Sequence, residues 1–215
     1  MNNLPIDYHE YERLPVFAQK ITKNPRYFNK NLPFDLLLKG IKWSLNIDDD
    51  QYEHISQILY QVRIIKDELS NYCYICHIKP VEDKYGWATF YDQYEPRNLN
   101  LHNLGKLQCN LVIEDIYICE NPAVFSNLCE HIKNKKINIG LICSNGQINF
   151  CTYKLIDLLI QSGCYLYYCG DYDSEGLVIA DKLKRSYKES ISLFKYSLFN
   201  FRFIQVKQKI YQQNV

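Results

Sequence analysis

The sequence lacks the long apolar runs and the leader features that mark membrane and exported proteins. No stretch approaches the uninterrupted apolar length of a membrane-spanning helix. The first residues, MNNLPIDYHEYERLP, are polar and contain no apolar segment of the kind that a secretory signal carries. We therefore expect no membrane partner and a cytoplasmic, reducing compartment.

Three widespread catalytic motifs are absent as well. The chain has no G-x-x-x-x-G-K-[ST] loop, no G-x-G-x-x-G turn after a strand and no G-x-S-x-G elbow. Phosphate chemistry of the P-loop and dinucleotide-binding kinds therefore fits the chain less well, and a serine hydrolase is not expected. Internal repeats and low-complexity segments are missing too.

Neither sign of charge is in excess. The chain carries 25 Lys and Arg against 24 Asp and Glu, a formal net charge of +1, and this total says nothing about partners. The distribution is uneven, because the segment 182–215 holds eight Lys or Arg and one acid, Glu189. This segment is either a solvated polar face with a loose tail or a surface that faces phosphate groups.

Cysteine, by contrast, is plentiful. The nine cysteines are an odd number scattered through apolar runs, which favours reduced thiols in a core over a disulfide framework. The segment Cys73-Tyr74-Ile75-Cys76-His77 matches the C-x-x-C-H pattern of c-type haem attachment. That chemistry normally needs export, and no second C-x-x-C lies at zinc-finger spacing. We expect a strand here, with haem or zinc as the alternative.

The texture of the sequence changes along the chain. Residues 1–110 indicate a smaller α+β region, with helices such as PFDLLLKGIKWSL first and then the short β-like runs YCYICHI, WATFY and LNLHNL. From residue 111 onward, the strand-like runs ending in DIYIC, GLIC and CYLYYC are each followed by a helical pattern. This alternation predicts an α/β domain over 111–215, with a mostly parallel sheet flanked by helices.

Acidic residues follow two of these predicted strands. Glu120 comes after the first strand, and Asp171 and Asp173 come after the third, within YCGDYDSEG. Ligands bind at the carboxyl ends of parallel strands, and side chains two apart in an extended segment face the same way. Asp171 and Asp173 can therefore point to one spot, and Glu120 can join them if the strands are neighbours. Gly170 and Gly176 leave room for close backbone approach.

Three carboxylates in one cleft repel one another unless they are protonated or bind a cation. A hard divalent ion removes this repulsion through oxygen ligands and retained waters; Mg²⁺ is the usual ion, and Mn²⁺ is its substitute. Such an ion binds phosphate groups and stabilises the charge that develops in phosphoryl transfer. The residues alone therefore predict a metal site made by Glu120, Asp171 and Asp173.

Each acid also has an ordinary structural explanation. Asp173 can cap the helix that follows it, Glu175 suits the positive end of that helix, and Glu120 can be a surface acid beside a turn. The segment Ser144-Asn145-Gly146-Gln147, at the end of the second strand, is either a plain turn or a source of donors to the same cleft. Both explanations stay open.

A strand-end Glu followed by Asp-x-Asp…Gly resembles the Toprim domain of topoisomerases, primases and related nucleases. The segments YICENPAVF, LICSNGQ and LIQSGCYLYYCGDYDSEGLVIADKL together resemble the C-terminal Toprim region of the JetD-like subunits of bacterial Wadjet plasmid-defence systems. Those subunits are related to the A subunit of topoisomerase VI, and their family was long catalogued as a domain of unknown function. The good match spans about Ile116 to Arg185, and a weaker one continues upstream.

The resemblance implies a Toprim-like (Rossmann-like) fold and a nuclease subunit that cuts double-stranded DNA. Its implied partner is a condensin-like SMC ATPase complex with kleisin-like subunits, and a homodimer is also considered. By position, Asp171 and Asp173 would bind Mg²⁺, and Glu120 would be a further ligand or the acid/base near the scissile phosphate. The remaining neighbours of the site are Asn121, Ser144, Gln147 and Gly176.

Two departures from the family pattern bear on activity. Full-length relatives contain a winged-helix-like DNA-binding part, and we expect this chain to begin after much of it. Residues beyond about Lys188 follow the pattern poorly. The expectation is a Mg²⁺-dependent DNA endonuclease subunit, as a truncated member, with metal-activated water rather than a tyrosine as nucleophile. The alternative is a non-catalytic Toprim-like module that binds DNA or a partner, and a small-molecule phosphotransferase comes third.

Overall fold

The computed structural model of the chain describes residues 3–6, 11–48, 55–83, 85–105, 111 and 114–194. Most of the basic segment 182–215 therefore lies outside the described residues. The chain divides into two compact units, Met1–Asn71 and Tyr72–Val215, whereas the change of sequence texture suggested a boundary near residue 110. The strands that lie between these two positions pair with the main sheet of the second unit.

The first unit is mostly helical. Its described elements are β1 (Glu12–Arg13), α1 (Leu14–Thr22), a 3₁₀ turn (Tyr27–Asn29), α2 (Asn31–Leu45), α3 (Ile55–Gln61) and β2 (Ile64–Ile65). The two short strands pair in parallel, and Phe17, Ile41 and Leu59 belong to the apolar core that the helices enclose. Helix α2 confirms the helix that the apolar spacing predicted.

The second unit contains a six-stranded sheet. Its described elements are β3 (Tyr72–Cys76), α4 (Trp87–Asp92), β4 (Arg97–Asn100), α5 (Leu101–Leu104), β5 (Asp115–Cys119), α6 (Pro122–Lys135), β6 (Gly140–Cys143), α7 (Phe150–Gln161), β7 (Tyr165–Tyr168), α8 (Ser174–Tyr187), a 3₁₀ turn (Lys188–Ser190) and β8 (Ile191–Leu193). The strand order is β4-β3-β6-β5-β7-β8. Strands β6, β5, β7 and β8 run parallel, and β3 is antiparallel to both of its neighbours. The predicted α/β fold with a mostly parallel, Rossmann-like sheet is confirmed.

Local sequence explains where the long helices of this unit begin and end. The side chain of Asn121 caps α6 by accepting hydrogen bonds from free backbone N–H groups of its first turn. Pro122 occupies that first turn, where its missing N–H costs no hydrogen bond. Asn149 caps α7, and Gly163, with φ of 80°, follows its last turn as a helix-terminating glycine does. None of the helices in the described residues combines the length and the apolar character that crossing a bilayer demands.

Helices cover both faces of the sheet. Cys129 of α6 packs with Cys76, Cys119 and Cys143 on one face. Helix α7 lies on the other face, where its Cys151 contacts Cys73. Helix α8 packs beside α7, where the Tyr187 hydroxyl donates to Asp157 Oδ1 at 3.0 Å and also lies 3.3 Å from the Tyr153 carbonyl oxygen. The central strands are therefore buried on both sides, as parallel strands usually are.

One predicted β-like run is wrong and another is half wrong. The run WATFY forms helix α4, because the Asp83 carboxylate accepts hydrogen bonds from the N–H groups of Trp87 and Ala88 and starts a helical turn. The buried Trp87 indole then anchors that turn. The run LNLHNL forms the end of β4 and then α5, since the Asn100 side chain caps the helix by accepting from the N–H of Asn103. In both places a local cap outweighs β propensity.

Candidate functional site

The order of the parallel strands reverses between β5 and β7. The chain passes from β5 to β6 on one side, then crosses to β7 on the other side and continues to β8. Helix α6 leaves β5 toward one face of the sheet, and α8 leaves β7 toward the opposite face. In open α/β sheets a crevice opens outside the carboxyl ends of the strands at such a reversal, and ligands bind there. The residues at this place are Glu120 and the loop 169–173.

Glu120 contacts this loop through its side chain. Its half-buried carboxylate accepts a hydrogen bond from the Tyr168 hydroxyl through Oε1 and another from the backbone N–H of Asp171. Burial raises the pKa of Glu120; the Tyr168 hydrogen bond opposes this change, and the charges of Asp171 and Asp173 raise the pKa further. Strands β5 and β7 are hydrogen-bonded neighbours, so the condition under which the three acids could meet is satisfied.

Two glycines permit this close assembly, as the sequence predicted. A Cβ on Gly170 would overlap Glu120 Oε1 and the Tyr168 hydroxyl, so the loop passes directly over that hydrogen-bonded pair. A Cβ on Gly176 would overlap the carbonyl oxygen of Asp171, so the first turn of α8 packs against the main chain of the loop. Each glycine therefore occupies a position that has no space for a side chain.

The two aspartates of the loop are exposed. Asp173 is the N-cap of α8, and its Oδ1 accepts the N–H of Gly176 at 2.8 Å. The capping explanation of Asp173 is therefore confirmed, while its exposed carboxylate still lies near enough to Glu120 to influence the pKa of that residue. Glu175 lies in the first turn of the same helix and is exposed, as its preference for a helix N-terminus predicted.

The predicted neighbours of the site have mainly structural contacts. Asn121 Oδ1 caps α6 by accepting the N–H of Ala123 at 2.8 Å. Ser144 is buried, and its hydroxyl donates to the carbonyl of Gly146 at 2.6 Å within the turn 144–147. That turn is attached to the candidate site, because the N–H of Gly146 donates to the Glu120 carbonyl at 3.0 Å. Gln147 is exposed, and its role stays a prediction.

The donors at the crevice suit a hard cation. Within the described ranges, no three His, Cys, Asp or Glu side chains are arranged so that they hold a metal ion as they stand. Mg²⁺ does not require such a cage, since it usually binds one or two carboxylates together with waters and substrate phosphates. The pKa of Glu120 is raised chiefly by burial and further by the charges of Asp171 and Asp173, and a cation would offset these like charges. The residues therefore fit Mg²⁺, and their roles as its ligands stay predictions.

The C-x-x-C-H segment forms strand β3 and its end, as expected. Cys73 and Cys76 are buried and project toward opposite faces of the sheet, so they cannot hold one haem together. The His77 ring is buried between the rings of Tyr91 and Tyr94, with centroids 3.9 and 4.0 Å away. This histidine is a packed core residue.

Two cations in the described part of the basic segment, Lys184 and Arg185, contact residues at their own end of the fold. Arg185 forms an ion pair with Asp181 one turn earlier in α8. Lys184 Nζ donates to the carbonyls of Lys188 and Ile191 and thereby joins the end of α8 to β8. These two cations therefore have partners within the fold, and a phosphate-facing role of this segment stays a prediction.

Tyr168 belongs to the site through its hydrogen bond to Glu120, although it is not among the residues predicted from the sequence. The signal was present, because this tyrosine ends a strand in an apolar run, and a fully buried tyrosine hydroxyl normally finds a hydrogen-bond partner. Its exposure is 0%. What the sequence did not show is that this partner is Glu120, the acid after β5.

Comparisons with known proteins place the chain in a family. No curated protein matches it. The family described as protein of unknown function C-terminus (DUF2399) matches residues 97–211, which is more than half of the chain and includes Glu120, Asp171, Asp173 and all four parallel strands. The chain therefore belongs to the DUF2399 family.

Proposed function

We propose that this chain is a Mg²⁺-dependent DNA endonuclease subunit of a Wadjet-like plasmid-defence complex. The observation that carries the proposal is the contact of Glu120 with the loop of Asp171 and Asp173 where the strand order reverses. The resemblance of the same segments to the Toprim region of JetD-like subunits supports DNA as the substrate. Family membership over residues 97–211 is consistent with that resemblance.

The same resemblance supplies the proposed partners. They are double-stranded DNA, an SMC-like ATPase with kleisin-like subunits, and a second copy of the chain as a homodimer. The proposed compartment is the cytoplasm, where plasmids and such ATPase complexes meet. Cleavage would depend on this assembly, because the ATPase complex would select the circular DNA and this chain would cut it.

The proposed roles of the three acids follow from their solvent exposure. Asp171 and Asp173 are exposed at the mouth of the crevice and would hold Mg²⁺. When bound, Mg²⁺ would supply positive charge that offsets the charge of the phosphodiester and would activate water as the nucleophile. Glu120 is half-buried and held by two donors, so its carboxylate occupies a defined position as a further ligand or as the acid/base.

Plasmid cleavage by the reconstituted complex tests the proposal. We expect Glu120→Ala and Asp171→Ala to reduce Mg²⁺-dependent cleavage by about 100-fold or more, as loss of a catalytic acid or base does. The control is Glu130→Ala, which removes an exposed acid on the outer part of α6 and should leave cleavage unchanged. Equal cleavage by all of these proteins would exclude Glu120 and Asp171 from catalysis.

A non-catalytic module that binds DNA or a partner is the second candidate. It is favoured by the absence, within the described residues, of three side chains arranged around a metal position, and by the capping role of Asp173. Calorimetry separates the two candidates. Binding of DNA or of the ATPase partner without any affinity for Mg²⁺ would support the module, whereas Mg²⁺ affinity that Asp171→Ala abolishes would support the nuclease.

A further inference from the structure

Tyr168 connects the two strands that carry the acids. It is the last residue of β7, and its register partner on β5 is Ile118, two residues before Glu120. The ring is completely buried, and its hydroxyl donates to Oε1 of Glu120. A hydroxyl from one strand end therefore holds the carboxylate that follows the neighbouring strand.

Gly170 confines this pair. The position of its missing Cβ lies on top of both Glu120 Oε1 and the Tyr168 hydroxyl, so the loop closes over the hydrogen bond. Neither group can rotate toward this side without meeting the main chain. Steric confinement and the hydrogen bond thus act together on one oxygen of the carboxylate.

We propose that Tyr168 is a positioning residue of the candidate metal site. By donating to Oε1 of Glu120, it fixes the orientation in which the carboxylate is offered to the cation or to the scissile phosphate. This inference rests on the proposed function, since it concerns the same acids. Residues that orient metal ligands in this way usually change metal affinity about 10- to 100-fold when they are removed.

Tyr168→Phe tests the role because it deletes only the hydroxyl. The matched control is Tyr167→Phe, since the Tyr167 ring lies on the opposite face of the same strand, stacked on Tyr117 with centroids 4.9 Å apart. The full chain is titrated with Mn²⁺, and bound metal is measured by electron paramagnetic resonance. We expect the Kd for Mn²⁺ to rise about 10-fold or more in Tyr168→Phe and to stay unchanged in Tyr167→Phe.

A second titration distinguishes positioning from general loss of structure. In a Glu120→Ala background, Tyr168→Phe should cause no further change in Mn²⁺ affinity, because the carboxylate that it orients is gone. An equal loss in both backgrounds would overturn the positioning role, as would a Kd for Tyr168→Phe equal to that of wild type. If the wild-type chain binds no Mn²⁺, the proposed function fails, and the positioning role is overturned with it.

Discussion

Gly176 lies directly against the main chain of Asp171. The first turn of α8 approaches the loop so closely that a side chain on the glycine would overlap the carbonyl oxygen of the aspartate. Because the contact involves backbone on both sides, neither partner can move away by rotating a side chain. The position of the two exposed aspartates therefore depends on the packing of the helix that follows them.

Gly176→Ala should destabilise the protein and displace the loop. Overpacking of this kind typically costs about 1–3 kcal/mol, and we expect weaker Mn²⁺ binding together with a lower free energy of unfolding in urea. Gly105→Ala is the control, since its Cβ would meet its nearest neighbour, the Leu101 carbonyl oxygen, at an ordinary 3.5 Å. Unchanged stability and metal binding in Gly176→Ala would contradict the packing argument.

Glu120→Gln should stabilise the metal-free protein at neutral pH. The pKa of Glu120 in the folded state is raised above the ordinary 4.5, chiefly by burial. The folded state therefore favours the protonated acid, and ionisation lowers stability as the pH rises above 4.5. Thermal unfolding in the presence of a chelator should show an advantage of Glu120→Gln that is absent near pH 4 and grows toward pH 7. A constant difference across that range would contradict the assignment.

Substitutions of Asp173 distinguish its role as the N-cap of α8 from the role of its negative charge in metal binding. Asn is as good an N-cap as Asp, whereas Ala loses the cap at a cost of about 1 kcal/mol. We therefore expect Asp173→Asn to keep the free energy of unfolding nearly unchanged and to lose Mn²⁺ affinity, and Asp173→Ala to lose both. If Asp173→Asn binds Mn²⁺ as wild type does, Asp173 is only a cap.

Asp83 should make the free energy of unfolding of the second unit depend on pH in the acid range. Burial alone would raise the pKa of its carboxyl, but hydrogen bonds from the backbone N–H groups of residues 85–88 outweigh this and lower it below the ordinary 3.8. A depressed pKa contributes stability above pH 3.8, and this contribution disappears as the pH falls through the folded-state value. Asp83→Ala should cost about 1 kcal/mol at pH 7. It should also remove the loss of stability that wild type shows as the pH falls below 3.8, and urea unfolding between pH 2 and 7 measures both effects.

The helices and strands from residue 115 to 187 could be predicted because their signals are local. The helical pattern predicted after the run DIYIC forms α6, Pro122–Lys135, and it begins where Asn121 and Pro122, two strong start signals, lie next to one another. The run WATFY was predicted as β-like, and the prediction was wrong because the local signal that decides its structure lies outside the run. Its helical conformation is imposed by Asp83, which lies four residues before Trp87 and was taken for part of a turn.

The site could be predicted only in part, because strand order is not local. The placement of acids at strand ends follows from alternating elements, and this was enough to select Glu120, Asp171 and Asp173. Strand β7 lies beside β5 rather than beside β6. This order is a property of the whole sheet and has no local signal in the sequence. The reversal of strand order and the hydrogen bond between Tyr168 and Glu120 both depend on that neighbourhood, so they became visible only in three dimensions.

Glu120 is attached to its two neighbouring strands by different parts of the same residue. Its carbonyl accepts from the Gly146 N–H and the Cys143 thiol on the β6 side, while its carboxylate accepts from Tyr168 and Asp171 on the β7 side. Any residue at position 120 keeps the first attachment, because it belongs to the peptide backbone. Replacement of the side chain therefore removes the contacts of residue 120 with Tyr168 and the aspartate loop and leaves its contact with the turn at Gly146 in place.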